Sequence, residues 1–204
     1  MVASVSSSAD LANVGLTRIG YKLRVGSLYD GSLAAKNLLD IYAQTRDELL
    51  TDGNWEFAER NANGQLLKSA PPGGYVPPNG WTPAYPAVPW LFSYAFPSDA
   101  LKIRVVKPVP VFVPDFDPQP HAYSIDNDNA FVPPQRVILS NVANAVIVYT
   151  GQVTDPATWD VLFVEAFAAA LGRRVAPMLV GLDVAKFAAS DENVQTTIAE
   201  GTQE

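Results

Sequence analysis

Apolar residues recur at helical spacing near the beginning of the chain. Within residues 8–19, Leu11, Val14 and Ile19 fall on one face of a helix. Gly20 follows at the point where the pattern stops. The spacing therefore predicts a short helix over residues 8–19.

A longer helical pattern follows over residues 30–51. Its apolar stripe consists of Leu38, Tyr42, Thr45 and Leu49, widened by Leu39 and Leu50. Asp30 or Ser32 can accept hydrogen bonds from the first N–H groups of this helix, and Gly53 suits the C′ position after its last turn. We expect Leu49 and Leu50 to bury the end of the helix.

The third helical segment runs from about Pro156 to Val180. Asp155 can cap it, and proline is well tolerated at a first helical position. Its charged residues point in widely separated directions: Asp160, Glu165, Arg173 and Arg174. Because a helix that is apolar nearly all round must be covered on several sides, we expect cover from the other helix, the sheet and neighbouring subunits.

The middle of the chain has short β-like runs and many prolines. The runs are 101–106, 111–113, 136–139 and 145–149, and they predict a small antiparallel sheet. Of the 17 prolines, 13 lie between Pro71 and Pro120, where they exclude helix and interrupt strands. Aromatic residues are frequent in the same region, which indicates an ordered hairpin or extended arm and not a linker.

Together these patterns predict an α+β fold. Its core is an antiparallel helical bundle of two long and one or two short helices, with a small antiparallel sheet or hairpin as an extension. We interpret residues 1–204 as one domain, with the helical core at 8–60 and 155–182. Residues 61–150 form the β-rich, Pro-rich insertion, and 183–204 form an acidic C-terminal arm.

Composition narrows the possible functions. The net charge is −7 and the densest basic spot is Arg173-Arg174, which argues against a surface that clamps nucleic acid. No cysteine is present, so disulfides and thiol chemistry are excluded. No uncharged apolar run approaches the roughly 18 residues that a membrane-spanning helix needs, and the N-terminus lacks the pattern of a signal peptide. We expect a soluble protein without a membrane partner.

The stretch 46–60, RDELLTDGNWEFAER, contains four carboxylates beside two aromatic residues. The carboxylates are Glu48, Asp52, Glu56 and Glu59. A glycosidase needs two carboxyl groups across a sugar cleft, one with a raised pKa. The favoured interpretation is a solvated helix end at which Trp55 and Phe57 anchor the chain, while Arg46 and Asp47 pair within or between subunits.

Other chemical signals are weak. The segments PDFD and DNDN place Asp115, Asp117, Asp126, Asn127 and Asp128 near one another, but they lack the glycine and glutamate of a calcium loop. His121 is the only histidine and lies near no nucleophile motif. We therefore predict no catalytic residue, no metal and no cofactor.

Three islands of sequence, which cover somewhat under half the chain, resemble the head-to-tail connector (adaptor) proteins of tailed bacteriophages, which include the tail tubular protein A group. The first island is VGSLYDGSLAAKNLLDIYAQTRDELLTDGNWEFAER. It matches through Ser27, Leu28, Asp30, Ser32, Ala35, Tyr42, Arg46, Asp47, Leu50, Trp55, Phe57, Ala58 and Arg60.

The second and third islands are WLFSYAFPSDALKIRVV and VIVYTGQVTDPATWDVLFVEAFAAALGRRVAPMLVG. The second resembles an aromatic strand that leads into Pro97, Ser98 and Asp99. The third matches through Tyr149, Thr154, Asp155, Pro156, Phe163, Ala166, Leu171 and Ala176. The chain departs from the family pattern in 71–90, in 107–134 and at Gly172, where a small helix former is more usual.

The resemblance implies a non-enzymatic virion structural protein, assembled in the cytoplasm of the host bacterium. It implies a homo-oligomeric ring, typically a dodecamer, that docks beneath the portal protein, extends the DNA channel and supports attachment of the next tail or nozzle protein. Double-stranded DNA would pass through transiently. The structural or interface residues are then Asp30, Tyr42, Arg46, Asp47, Trp55, Phe57, Pro97, Asp99, Asp155 and Pro156. The portal-contacting arm, 189–204, would present Asp191, Glu192, Val194, Ile198 and Glu200.

Two alternatives from other classes stay open. The aromatic region Pro71 to Phe96 could form a surface module that binds glycans or a receptor. Less favoured is a cell-wall hydrolase that uses Glu48 and Asp52.

Overall fold

The computed structural model describes residues 7–75, 80–109 and 120–179. Two units are distinguished along the chain. The first is built from both ends of the sequence, up to Ala58 and from Gln152 onward. The second is the continuous segment Glu59–Gly151.

The first unit contains the α-helices. They are α1 (Ser8–Arg18), α2 (Leu33–Asp52) and α3 (Val161–Leu179). Ser7 caps α1, where its Oγ accepts a 3.1 Å hydrogen bond from the Asp10 N–H. Ser32, not Asp30, caps α2 through a 3.1 Å bond from the Ala35 N–H. The two N-terminal helices thus lie close to the predicted segments.

The start of α3 differs from its prediction. Asp155 caps a short 3-10 turn, Pro156–Thr158, by accepting a 3.0 Å hydrogen bond from the Ala157 N–H. The long helix begins only at Val161, after Trp159 has turned into the core. Every residue from Ala166 to Gly172 is buried, as expected for a helix that is apolar on nearly every side. Within the described residues, none of the helices has the length and apolarity needed to span a bilayer.

Gly53 ends α2 as its C-cap residue and not at the predicted C′ position. Its N–H donates to the Leu49 carbonyl at 3.2 Å, and its φ is −93°. The Trp55 indole N–H donates to the same carbonyl at 2.8 Å. A Cβ at residue 53 would lie 2.4 Å from Trp55 Nε1, so glycine is required here for space beneath the indole.

The second unit contains seven strands. In chain order they are β1 (Glu59–Asn63), β2 (Leu66–Ser69), β3 (Phe92–Ala95), β4 (Ala100–Pro108), β5 (Tyr123–Asp128), β6 (Gln135–Ser140) and β7 (Ala145–Gly151). They form one three-stranded sheet of order β1-β7-β4 and one four-stranded sheet of order β2-β3-β6-β5. All pairs are antiparallel.

Both sheets contribute to one apolar core within this unit. Tyr94 and Ile138 from the four-stranded sheet pack with Ile103, Val106 and Ile147 from the three-stranded sheet. The Tyr94 hydroxyl donates a 2.5 Å hydrogen bond to the Val142 carbonyl, which satisfies the polar end of a buried ring.

The predicted fold class is therefore wrong. The fold is not a helical bundle with a small hairpin, because three helices stand beside seven strands in two antiparallel sheets. Strands were predicted at 101–106, 136–139 and 145–149, and the structure has them; 111–113 lies outside the described residues. The error arose mainly at β1 (ERNAN) and β5 (YSIDND), whose polar sequences show no strand alternation. They become strands because their backbones pair with β7 and β6, which local sequence does not reveal.

Candidate functional site

Most of the matching residues of the first and third islands lie in the first unit, whereas Arg60 and Tyr149 belong to the second. Asp47 on α2 provides one link, because its Oδ2 accepts a 2.8 Å hydrogen bond from the Gln152 side chain. Arg174 on α3 provides another, because it donates to Glu48 and, at 3.2 Å, to Thr45 on α2. These pairs are more than 100 residues apart in the chain, so the tertiary fold brings the two islands into contact.

An aromatic cluster joins the same segments. Phe163 lies at the centre, with its ring centroid 5.1 Å from Trp55, 5.1 Å from Phe57 and 4.9 Å from Trp159. All three contacts are edge-to-face, the arrangement that the ring quadrupoles favour. Tyr42 meets Phe167 in the same way at 4.9 Å. Trp55 thus packs into the core as predicted, and Trp159 packs against the same ring. The sequence indicated Trp159 only by its position after a capped turn.

A groove of about 530 Å³ runs beside α2. We call it the α2 groove. Half of its described lining residues carry a hydroxyl: Ser7, Ser8, Ser27, Tyr29, Tyr42 and Thr154. Arg46 is the one charged residue among the described lining residues, and Leu28 and Leu39 supply apolar wall. Ser27, Leu28, Tyr42, Arg46 and Thr154 are positions of the resemblance, which therefore converge on this groove.

Tyr42 reaches the groove from α2 and is almost completely enclosed, with 7% of its surface exposed. Its hydroxyl is buried beside the Ser8 side chain and makes no hydrogen bond of normal geometry with a described residue. Burial raises the pKa of Tyr42, and Ser8 and the charge of Arg46 offset part of that rise. A buried hydroxyl without a partner is energetically unfavourable, which marks this position as a place where another group could bind.

Arg46 and Asp47 form the predicted pair. The Arg46 Nε donates to Asp47 Oδ1 at 2.8 Å, and the Arg46 side chain is buried.

Asp30 acts as a hydrogen-bond acceptor for the backbone of the loop before α2. It accepts hydrogen bonds from the N–H groups of Gly26 and Ser32, both at 2.9 Å, and so shapes the loop before α2. Its pKa is lowered, mainly by the hydrogen bonds from Ser32.

The four carboxylates of stretch 46–60 do not form a cleft. Glu48 pairs with Arg174 and accepts a 2.8 Å hydrogen bond from Gln44, and the bond from Arg174 lowers its pKa. A general acid requires a shift in the opposite direction. Asp52 and Glu56 are exposed, and Glu59 lies in the second unit, where it pairs with Arg104 at 3.0 Å.

Asp99, the predicted interface residue of the second unit, follows β3 and Pro97. It pairs with Arg60 and accepts a 3.1 Å hydrogen bond from the Tyr149 hydroxyl. Burial, followed by the adjacent Asp99, raises the pKa of Tyr149. These contacts join β1, β7 and the start of β4, so Asp99 holds together the edge of the three-stranded sheet. Asp155 and Pro156 build the 3-10 turn described above.

The second unit also contains a cavity of about 400 Å³, which we call the aromatic cavity. Its lining includes Trp81, Pro83 and Tyr85, together with the end of β5 and the turn that follows it, Asp126 to Ala130. The Trp81 indole N–H donates to the Pro86 carbonyl at 2.8 Å, yet 51% of the residue stays exposed. This part of the proline-rich region is thus folded against the four-stranded sheet.

Several predicted residues lie outside the described part of the chain. They are Asp115 and Asp117 and the arm residues Asp191, Glu192, Val194, Ile198 and Glu200. Asp128, from the weak calcium pattern, pairs with Lys68 and accepts a 2.9 Å hydrogen bond from the Ala130 N–H. Over residues 7–75, 80–109 and 120–179, no group of three His, Cys, Asp or Glu side chains is arranged to hold a metal ion.

Comparison with known proteins gives no assignment: no protein-family model matches the chain, and no curated protein matches it significantly.

Proposed function

We propose that the chain is a structural protein of a tailed-phage virion that assembles into the head-to-tail adaptor ring. In this proposal the subunits, typically twelve, join beneath the portal protein and extend its DNA channel. The ring then offers a docking surface to the next tail component. The protein acts by assembly and has no catalytic role of its own.

One observation carries the proposal. Two islands of the resemblance, about 100 residues apart, pack into a single unit through the aromatic cluster around Phe163 and the bond between Asp47 and Gln152. Short motifs that resemble a family by chance have no reason to contact one another. Their convergence therefore supports the family interpretation more strongly than any motif alone.

Exposed apolar side chains in the same unit support an assembly role. Tyr29 and Leu33 are 80% and 66% exposed, and Leu23 and Val161 are also exposed. Large apolar side chains exposed on a folded unit are typical of a surface that contacts another protein. The acidic net charge of −7 suits a channel, because phosphates should pass a negative wall without binding to it.

Removal of these apolar side chains should weaken self-association. We expect Tyr29→Ser and Leu33→Ser each to weaken subunit association about tenfold, the effect of losing one well-buried contact at an interface. Thermal unfolding should change little, because both side chains are exposed in the single chain. Sedimentation velocity across a concentration series, with and without the portal protein, measures the ring population.

Val132→Ser is the matched control. Val132 lies in the second unit and is 97% exposed, so it tests whether loss of any exposed apolar side chain reduces association. We expect it to have no effect. Equal association of all three variants and the wild type would contradict an interface on the first unit.

A second candidate function is carbohydrate binding at the aromatic cavity. The half-exposed Trp81 favours it, because an indole face beside the polar side chains of Asp126 and Asn127 can stack on a sugar ring and bind its hydroxyls. Isothermal titration with bacterial cell-wall glycans tests it. Binding that disappears in Trp81→Ala would favour carbohydrate binding over the adaptor function. Absence of binding by the wild type would contradict the carbohydrate-binding candidate.

A further inference from the structure

The α2 groove combines three features that stabilise a bound anion. The first is the N-terminus of α1, where Ser7, Ser8 and Ala9 line the groove. The Asp10 N–H is bonded to Ser7 Oγ and the Leu11 N–H to the Ser7 carbonyl at 3.2 Å. The N–H groups of Ser8 and Ala9 make no hydrogen bond to another described residue. The N–H groups at a helix N-terminus and the helix dipole together favour negative charge at this position.

The second feature is the Tyr42 hydroxyl, which is buried, lines the groove and makes no hydrogen bond of normal geometry with a described residue. The third is Arg46, whose Nε is bonded to Asp47. Arg46 has no other hydrogen bond or ion pair within the described residues. Its terminal nitrogens therefore retain donors for a carboxylate, which a guanidinium binds in a bidentate manner.

The carboxylates near the α2 groove are hydrogen-bonded to other groups and do not enter the groove. Asp10 accepts a hydrogen bond from the Ser7 hydroxyl at 2.7 Å, Asp30 is bonded to backbone N–H groups, and Asp47 is bonded to Gln152. None of the three lines the groove. The described lining of the groove thus supplies hydrogen-bond donors and the positive charge of Arg46, but no negatively charged acceptor.

We propose that the α2 groove binds a carboxylate side chain from the acidic segment 183–204 of a second copy of the chain, in place of the portal contact that the resemblance implies for residues 189–204. Charge complementarity selects this occupant. The segment carries Asp183, Asp191, Glu192, Glu200 and Glu204 against a single basic residue, Lys186. The chain has 25 residues beyond Leu179, which can span at most roughly 80 Å, so a neighbouring subunit is within reach.

This inference rests on the proposed ring, because the ring places a second copy alongside the first. It adds a specific contact between subunits, in which the Tyr42 hydroxyl, Arg46 and the start of α1 receive one acidic side chain. It also gives the buried Tyr42 hydroxyl a hydrogen-bond partner that the described residues of a single chain do not provide.

A peptide titration tests the contact directly. The ligand is a fluorescent peptide of residues 183–204, and the acceptor is the full chain with the acidic residues of that segment changed to amides, which removes internal competition. We expect the peptide to bind, and a peptide with all five acids changed to amides to bind at least about tenfold more weakly, as expected for loss of charge-assisted hydrogen bonds. Equal binding of the two peptides would overturn the proposal.

Variants of the acceptor assign the binding to the groove. Arg46→Gln should abolish binding, and Tyr42→Phe should weaken it several-fold while leaving thermal unfolding unchanged or raised, because it removes an unpartnered buried hydroxyl. Tyr42→Phe remains informative if Arg46→Gln fails to fold. Arg174→Gln is the matched control, since Arg174 pairs with Glu48 outside the groove. Unchanged affinity in Tyr42→Phe and Arg46→Gln would contradict the assignment.

Two further outcomes are distinguishable. Binding of inorganic phosphate without binding of the peptide would overturn the choice of occupant. Because the titration needs no ring, peptide binding without ring formation would contradict the proposed function alone. Ring formation without peptide binding would contradict this inference alone.

Discussion

Replacement of Phe163 by alanine is expected to lower the free energy of unfolding by about 3–5 kcal/mol, the usual cost of removing a fully buried phenylalanine. Phe163 has no exposed surface, and its ring contacts Trp55, Phe57 and Trp159 edge-to-face. The substitution removes these contacts together and leaves a cavity between the segment after α2 and the start of α3. Equilibrium unfolding in urea, followed by tryptophan fluorescence, measures the loss.

Leu162→Ala is the matched control for this prediction. Leu162 precedes Phe163 on the same turn of α3 but is exposed, so its truncation should cost less than about 1 kcal/mol. A similar cost for both substitutions would show that the aromatic cluster does not stabilise the first unit more than the surface of the same helix does.

Gly172→Ala is expected to lower the free energy of unfolding by about 1–3 kcal/mol, the usual cost of overpacking. A Cβ at residue 172 would lie 2.7 Å from the Gly15 carbonyl oxygen, which belongs to the backbone of α1 and cannot rotate away. Helix propensity acts in the opposite direction, since alanine is favoured over glycine by about 1 kcal/mol in a helix. We expect the steric term to prevail because α1 would have to move away from α3.

Gly26→Ala provides the comparison. A Cβ at residue 26 would meet nothing within 4 Å, so this substitution should be close to neutral. Thermal and urea unfolding of both variants separate the effect of close helix packing from the general effect of losing a glycine. A stabilised Gly172→Ala protein would contradict the close approach of α1 and α3.

The helices were predictable because their apolar spacing is a local signal. The apolar stripe from Leu38 to Leu49 is sufficient to predict α2, because it forms most of the buried face of this helix. The predicted start of α3 at Pro156 was wrong because Trp159 contributes to the aromatic cluster, and such a contact depends on residues far away in sequence. Strands β1 and β5 were missed for the same reason, since pairing with β7 and β6 outweighs their weak local preference.

The candidate site was predictable only in part. The resemblance pointed to Tyr42 and Arg46, but not to the N-terminus of α1 beside them in the groove. In the sequence, Gly172 is distinguished only as a departure from the family pattern. The structure explains it by the contact between α1 and α3, because a glycine in a helix has no periodic signal that reveals what packs against it.

The central claim is that the chain forms a ring on the portal. Electron microscopy of the purified protein mixed with its portal protein tests this claim most directly. The account predicts an additional ring of density coaxial with the portal, with the first unit of each chain in contact with its neighbours. Portal particles without added density, at chain concentrations well above that of the portal, would contradict it.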